Sequence, residues 1–144
     1  MNKRAAFWDA SALVPLCVHE SASRKAHAQL RLFLPVVWWG SQIEIHSAIA
    51  REHRFGTLTE AETKKALSRL DLLSRGWREI LPGDELRDLA GRLLDAHELR
   101  AADSLQLAAA LVWCQQRPAR RSFLCSDRRL LESAQDRGFS VVEV

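Results

Sequence analysis

The sequence of 144 residues predicts an α/β fold in which a parallel sheet is buried between layers of helices. Two observations lead to this prediction. Short apolar segments alternate with longer segments whose apolar residues recur at helical spacing. The short segments are rich in β-branched and aromatic residues, which is typical of parallel strands covered on both faces. No repeat or interdomain linker interrupts the pattern, so residues 1–144 are predicted to form a single domain.

Five short apolar segments are predicted to be strands. In order, they are residues 5–8, 36–39, 77–81, 122–125 and 140–144. Asp9 ends the first strand, and Pro35 and Gly40 bracket the second. Gly83 follows the third strand, and Gly138 separates the last strand from the helix before it.

Seven segments are predicted to be helices. In order, they are residues 10–18, 20–33, 42–55, 59–74, 85–97, 103–116 and 127–137. The first is short because it contains Pro15. The second has Ala26, Leu30 and Phe33 on one face, and the proline after it is expected to end it. Leucines recur on one face of the fourth and fifth helices, and the sixth is the most apolar helix of the chain.

Composition and charge restrict the possible classes of protein. Hydrophobic residues make up 47% of the chain and charged residues 27%, which is typical of a globular protein. The pI near 9.1 permits a nucleic acid or an acidic protein as partner. The three cysteines, Cys17, Cys114 and Cys125, form no C-x-x-C motif, which argues against a zinc site and a disulfide framework. A cytoplasmic location is therefore expected, and no apolar run approaches the roughly 20 residues of a membrane span.

Four acidic residues lie where predicted strands end or predicted helices begin. Asp9 follows the first strand, and Glu44 lies in the first turn of the helix after the second. Asp103 begins the most apolar helix, and Asp127 follows the fourth strand. In a doubly wound sheet these positions share one edge, where ligands bind. The four carboxylates could therefore converge on one point.

Helix capping is the competing interpretation for each of these residues. Asp9, Asp103 and Asp127 are all candidate N-caps, because a short acidic side chain accepts hydrogen bonds from free backbone N–H groups. Ser41 and Glu44 have the spacing of a capping box. Since helix N-termini favour ionised carboxylates, capping and metal binding are compatible.

The neighbours of Asp103 favour metal binding. Ala102 and Leu105 flank it, and a carboxylate in apolar surroundings is costly unless a positive charge meets it. Repulsion among four carboxylates would raise that cost. Mg²⁺ and Mn²⁺ prefer hard oxygen ligands, and they can activate water and neutralise charge on a phosphodiester. The pattern therefore indicates a divalent-cation site.

Four segments of the chain resemble the PIN-domain family and, within it, the VapC-type toxins. They are WDASALV over residues 8–14, QIEIHSA over 42–48, LRAADSLQLA over 99–108 and FLCSDRRL over 123–130. The D-x-S motif of the first segment is weak alone. The four segments in order, each in the expected strand–helix context, make a specific match that covers essentially the whole chain.

The resemblance implies a three-layer α/β/α sandwich with a five-stranded parallel sheet. It also implies an endoribonuclease that cleaves single-stranded or loop RNA with Mg²⁺ or Mn²⁺. Asp9, Glu44 and Asp103 match the core metal ligands and Asp127 completes the site, so these four are the expected catalytic residues. The implied reaction is in-line attack by a metal-activated water, without a side-chain nucleophile. Ser11 is expected to orient a carboxylate or a bound water.

The last segment departs from the family pattern. Family members often carry a threonine two residues before the final aspartate, and this chain has Cys125 there. Ser126 is expected to supply a hydroxyl in its place. The match is therefore weakest at Asp127.

Partners are expected from both charge and resemblance. Arg128 and Arg129 adjoin Asp127 and would suit an RNA backbone, with a solvated charged face as the alternative. The resemblance implies a VapB-like antitoxin that covers the site, and a homodimer. The apolar faces of residues 21–34 and 59–73 are candidate contact surfaces, unless they face the core.

Other function classes fit the sequence less well. Haloacid-dehalogenase-type phosphatases also begin with an aspartate after the first strand. They need a second aspartate two residues later, where this chain has Ser11. A PIN-like module that binds RNA or protein without cleavage should have lost site carboxylates, whereas all four remain. RNA-processing nucleases with the same site typically carry additional domains.

Overall fold

The computed structural model describes residues 3–144, which form five strands and seven helices. The strands are β1 (Arg4–Trp8), β2 (Phe33–Trp38), β3 (Arg78–Ile80), β4 (Ser122–Cys125) and β5 (Ser140–Glu143). The helices are α1 (Ala10–Cys17), α2 (Ser23–Leu30), α3 (Ser41–Arg54), α4 (Glu60–Gly76), α5 (Asp84–Ala96), α6 (Ala101–Trp113) and α7 (Arg128–Asp136). Their order confirms the predicted alternation of strands and helices.

All five strands are parallel and lie in the order β3-β2-β1-β4-β5. From β1 the chain proceeds outward through β2 to β3, and it then returns to the other side of β1 to form β4 and β5. Phe7 of β1 consequently pairs with Val36 of β2 on one side and with Phe123 of β4 on the other. The carboxyl ends of β1 and β4 mark the point where the strand order reverses, which is where ligands bind in such sheets.

Helices cover both faces of the sheet, which confirms the three-layer α/β/α sandwich. Phe7 and Phe123 point into a core that they share with α5, α6 and α7. Trp8 and Leu124, their neighbours in the strands, point into a second core that contains α1, α2, α3 and α4. This alternation follows from the two-residue period of a strand. It explains why the strands are apolar on both faces.

The second helix is shorter than predicted. It ends at Leu30, and Phe33 and Pro35 belong to β2, so the predicted helix over 20–33 is wrong in its last turn. Pro35 is tolerated in this strand because β3 pairs only with the three residues that follow it. Pro35 therefore faces a neighbouring strand only on the side of β1, opposite Ala6.

The two apolar faces that were predicted as contact surfaces are divided between core and solvent. Ala26 and Leu70 are buried in the second core. Leu34 and Leu72 are exposed beside a cavity of about 860 Å³ between α2 and α4. Within residues 3–144, no helix has both the length and the apolar character that crossing a membrane requires.

Candidate active site

A cavity of about 350 Å³ lies at the carboxyl ends of β1 and β4, and all four predicted carboxylates line it. Asp9 follows β1 and Asp127 follows β4, while Glu44 and Asp103 lie in the first turns of α3 and α6. Ser11 and Ser126 line the same cavity. The fold therefore brings together residues that are up to 118 positions apart in the sequence, from Asp9 to Asp127.

Asp9 is almost completely buried and serves as the N-cap of α1. Its Oδ2 atom accepts hydrogen bonds from the backbone N–H of Ser11, at 3.1 Å, and from the Ser11 hydroxyl. The Asp9 N–H donates to the Leu124 carbonyl at 2.9 Å, which joins the end of β1 to β4. Burial raises the pKa of Asp9, and the hydrogen bonds from Ser11 oppose that rise. The hydrogen bonds from Ser11 restrain Oδ2 of Asp9, and the Asp9 side chain lines the cavity.

Asp127 is the N-cap of α7, as the capping interpretation predicted. Its Oδ1 atom accepts hydrogen bonds from the backbone N–H groups of Arg129, at 2.9 Å, and Leu130, at 3.3 Å. Asp9 and Asp127 thus both cap helices and line the cavity. Capping a helix is therefore compatible with lining the cavity, as expected for carboxylates at helix N-termini.

Cys125 occupies the gap between these two aspartates. Its Sγ accepts a hydrogen bond from the Asp127 N–H at 3.2 Å and lies 3.5 Å from Asp9 Oδ2. Burial and the neighbouring Asp9 charge raise the pKa of the thiol, so it stays protonated. Ser126 instead contacts Ser11: its N–H donates to Ser11 Oγ at 3.0 Å, and its hydroxyl lies 3.5 Å from the Ser11 carbonyl. Of these two neighbouring residues, Cys125 contacts the aspartates and Ser126 contacts Ser11.

Two capping predictions are wrong. Helix α6 begins at Ala101 with Arg100 as its N-cap, so Asp103 is the third helical residue. Helix α3 begins after Gly40, and no side chain caps it. Glu44 forms no capping box with Ser41, and its Oε2 atom instead accepts a hydrogen bond from Gln106 Nε2 at 2.6 Å.

The carboxylates are coupled electrostatically. Burial raises the pKa of Glu44 to about 7, and the charges of Asp9 and Asp103 add to that rise, while the hydrogen bond from Gln106 opposes it. Burial also raises the pKa of Asp103, and the charge of Asp127 adds to this rise. A cation among these groups would relieve both the desolvation and the repulsion.

The four carboxylates are chemically suited to a hard divalent cation, but their side chains are not yet arranged around a common point. Carboxylate oxygens are the ligands that Mg²⁺ and Mn²⁺ prefer. In the arrangement of residues 3–144, however, no three His, Cys, Asp or Glu side chains are placed so that they could hold one metal ion together. Binding a cation would therefore require some of the four side chains to turn toward a common point.

A second cavity, of about 740 Å³, adjoins the first and shares Asp103 and Asp127 with it. Arg128 and Arg129, the predicted RNA contacts, line this cavity together with Arg100. Arg128 also lies 3.8 Å from the Glu143 carboxylate, and both side chains are largely exposed. Positive side chains therefore lie next to the carboxylate site.

Sequence reasoning missed three residues that line the carboxylate cavity or contact one of its carboxylates. Glu20 and Arg51 line the carboxylate cavity, and nothing in their local sequence distinguishes them from surface charges. Gln106 contacts Glu44, and the sequence contains a pattern that could have identified it. It is a polar residue in a strongly apolar helix, three positions after Asp103 and therefore on the same helical face.

No protein-family model matches this sequence, and no curated protein matches it. Among solved structures, the fold is similar to a chain of a toxin–antitoxin complex from Klebsiella pneumoniae, with a TM-score of 0.62 and 18% identity over 97% of this chain and 100% of that chain. It is also similar to PAE2754 from Pyrobaculum aerophilum, with a TM-score of 0.66 and 19% identity over 96% of this chain and 90% of that one. Likenesses at this level of identity establish the shared fold, and function has to be argued from the site.

Proposed function

We propose that this protein is a divalent-cation-dependent endoribonuclease that acts as the toxin of a toxin–antitoxin pair. The observation that carries the proposal is the convergence of four carboxylates, from four different elements, on one cavity at the switch point of the sheet. Burial and mutual repulsion raise the pKa values of several of these carboxylates, which is a frequent property of functional sites.

Asp9, Glu44, Asp103 and Asp127 would hold the cation, Mg²⁺ or Mn²⁺. When bound, such a cation supplies positive charge at the phosphodiester and makes water a better nucleophile. The protein's own contribution is to fix the carboxylates. The two hydrogen bonds from Ser11 hold Asp9 Oδ2. Two backbone N–H groups at the start of α7 hold Asp127 Oδ1.

RNA is the substrate class that the surroundings favour. The cavity beside the carboxylates is lined by Arg100, Arg128 and Arg129, and also by Glu98. Arginine binds phosphate groups in a bidentate manner, so these side chains could hold the phosphates next to the scissile one. The mildly basic chain, with a formal net charge of +3, agrees with a polyanionic substrate.

The toxin role is supported by the resemblance of the four sequence segments to VapC-type toxins. A chain of similar fold belongs to a toxin–antitoxin complex from Klebsiella pneumoniae. A VapB-like antitoxin is accordingly the expected protein partner, a homodimer the expected assembly and the cytoplasm the expected location. Induced expression in a bacterium should then stop growth, and Asp103→Asn should abolish that effect.

The direct test is cleavage of a mixed RNA pool by the purified protein in Mg²⁺, in Mn²⁺ and in EDTA. Asp103→Asn should lose cleavage, because it removes a charged cation ligand. Asp88→Asn, an exposed aspartate on α5, is the matched control and should cleave at the wild-type rate. If folded, metal-loaded protein cleaves no RNA in the pool, the nuclease proposal fails. Binding of RNA without cleavage would then favour a non-cleaving PIN-like module.

A further inference from the structure

Gln106 places a polar amide inside the strongly apolar helix α6. The side chain is fully buried, and the five residues after it in α6 are all buried and apolar. Its Oε1 atom is one of two buried side-chain N or O atoms among residues 3–144 that lack a hydrogen-bond partner. An unsatisfied buried acceptor opposes folding. Packing alone therefore does not explain a glutamine at this position.

The other end of the amide has two partners. Gln106 Nε2 donates to Glu44 Oε2 at 2.6 Å and to Ser41 Oγ at 2.9 Å. The first bond is the shorter of the two. Both acceptors lie in the first turn of α3, so the amide connects α6 to the start of α3. The reverse amide orientation would place Oε1 against the carboxylate, and the two oxygens would repel each other.

The geometry points to Gln106 as a positioning residue that fixes Glu44 for binding a divalent cation. The bond to Oε2 restrains the carboxylate, and Oε1 of Glu44 has no hydrogen-bond partner among residues 3–144. Helix α6 thus supplies one carboxylate, that of Asp103, and the donor that orients another. Hydrogen bonds of this kind commonly orient the carboxylates that bind metals. This inference rests on the proposed cation-dependent function.

The test is the affinity of the metal-free protein for Mn²⁺, measured by isothermal titration calorimetry. Gln106→Met keeps a similar side-chain length and removes the donor. It should weaken Mn²⁺ binding by about 10-fold or more, the effect typical of residues that orient ligands. Ser41→Ala is the matched control, because Ser41 is equally buried and bonded to the same amide, but its hydroxyl makes no hydrogen bond with the Glu44 carboxylate among the described residues. It should bind Mn²⁺ within about 2-fold of wild type, well below the effect of an orienting residue.

A double-mutant cycle separates positioning from a general loss of structure. In a Glu44→Gln background, Gln106→Met should weaken Mn²⁺ binding little further, because its effect passes through the Glu44 carboxylate. Equal losses in both backgrounds would mean that Gln106 acts through packing, and the inference would be overturned. Gln106→Asn, which keeps an amide but is one methylene shorter, replaces Gln106→Met in the cycle if the latter does not fold.

The outcomes separate this inference from the proposed function. Wild-type affinity in a folded Gln106→Met variant would overturn the positioning role while leaving the proposed function intact. Failure of the wild-type protein to bind Mn²⁺ at all would overturn both. Weaker binding in Gln106→Met but not in Ser41→Ala, with the expected non-additivity, would support the inference.

Discussion

The four site carboxylates differ in what holds each of them. Asp9 and Asp127 are fixed by N–H groups at the starts of α1 and α7, whereas Glu44 is fixed by a side-chain amide. No hydrogen bond to another side chain holds Asp103 among residues 3–144, and like Asp127 it lines both cavities.

The raised pKa of Glu44 makes the stability of the folded protein depend on pH. Its pKa is raised from 4.5 to about 7, so between these pH values the native state holds a proton that the unfolded chain releases. Stability therefore falls as the pH rises through this window. The raised pKa values of Asp9 and Asp103 act in the same direction.

We expect the metal-free protein to be less stable at pH 8 than at pH 5.5 in urea unfolding with EDTA present. Glu44→Gln should reduce this difference, because it removes the titrating group. Glu85→Gln, an exposed position on α5, is the control and should leave the difference unchanged. A wild-type protein whose stability rises steadily from pH 5.5 to pH 8 would contradict the effect assigned to Glu44.

At the scale of single elements, the start of α3 determines where Glu44 lies. Helix α3 follows β2 after one turn, and Gly40 is its N-cap. A Cβ atom at Gly40 would lie 2.5 Å from Nε1 of Trp38, which is buried. The backbone at Gly40 has an ordinary right-handed conformation that other residues can adopt. Glycine is needed here because Trp38 lies too close for a Cβ atom. The contact with Trp38 sets the direction in which α3 leaves the sheet.

Gly40→Ala is accordingly expected to destabilise the protein by about 1–3 kcal/mol, the usual cost of overpacking a core. It should also weaken Mn²⁺ binding, because a shifted α3 carries Glu44 with it. Gly83→Ala is the matched control, since Gly83 is also a helix N-cap but has nothing within 4 Å of the added Cβ. Urea unfolding and calorimetry would check both effects. Equal stability of the two variants would show that Trp38 moves aside without cost.

On the scale of the whole molecule, the sheet concentrates negative charge at one edge of a basic protein. Strands β1 and β4 are adjacent only because the chain crosses from β3 to the other side of β1. Their ends carry Asp9 and Asp127, and the helices α3 and α6 bring Glu44 and Asp103 to the same place. The folded state alone assembles this group, so any cation that binds there stabilises folding.

Mn²⁺ should therefore raise the unfolding temperature of the wild-type protein. A concentration 100 times the dissociation constant adds about 2.7 kcal/mol to the stability. The rise should be larger at pH 8 than at pH 6, because the cation must displace the proton that Glu44 holds up to about pH 7. Differential scanning fluorimetry with an Asp9→Asn variant as reference would measure this. An equal rise in wild type and variant would indicate binding elsewhere.

Much of this architecture follows from local sequence. The apolar runs over residues 5–8 and 122–125 predicted buried strands, and the helical periodicity between the strands predicted a parallel sheet with helices on both faces. The positions of Asp9, Glu44, Asp103 and Asp127 at strand and helix ends then placed them at one edge of the sheet. These inferences succeeded because periodicity and chain order are local properties.

Other features depended on contacts between distant segments. Pro35 lies in β2 because β3 stops short of it, a fact of sheet geometry that its local sequence does not contain. The expected Ser41–Glu44 capping box is replaced by hydrogen bonds to Gln106, which is 62 residues from Glu44 in the chain. Cys125, the last residue of β4, rather than Ser126 reaches Asp9, because β4 lies beside β1, which ends just before Asp9. Side chains form hydrogen bonds with groups that are near them in space, and only the folded chain brings Gln106 of α6 to the start of α3 and places β1 beside β4.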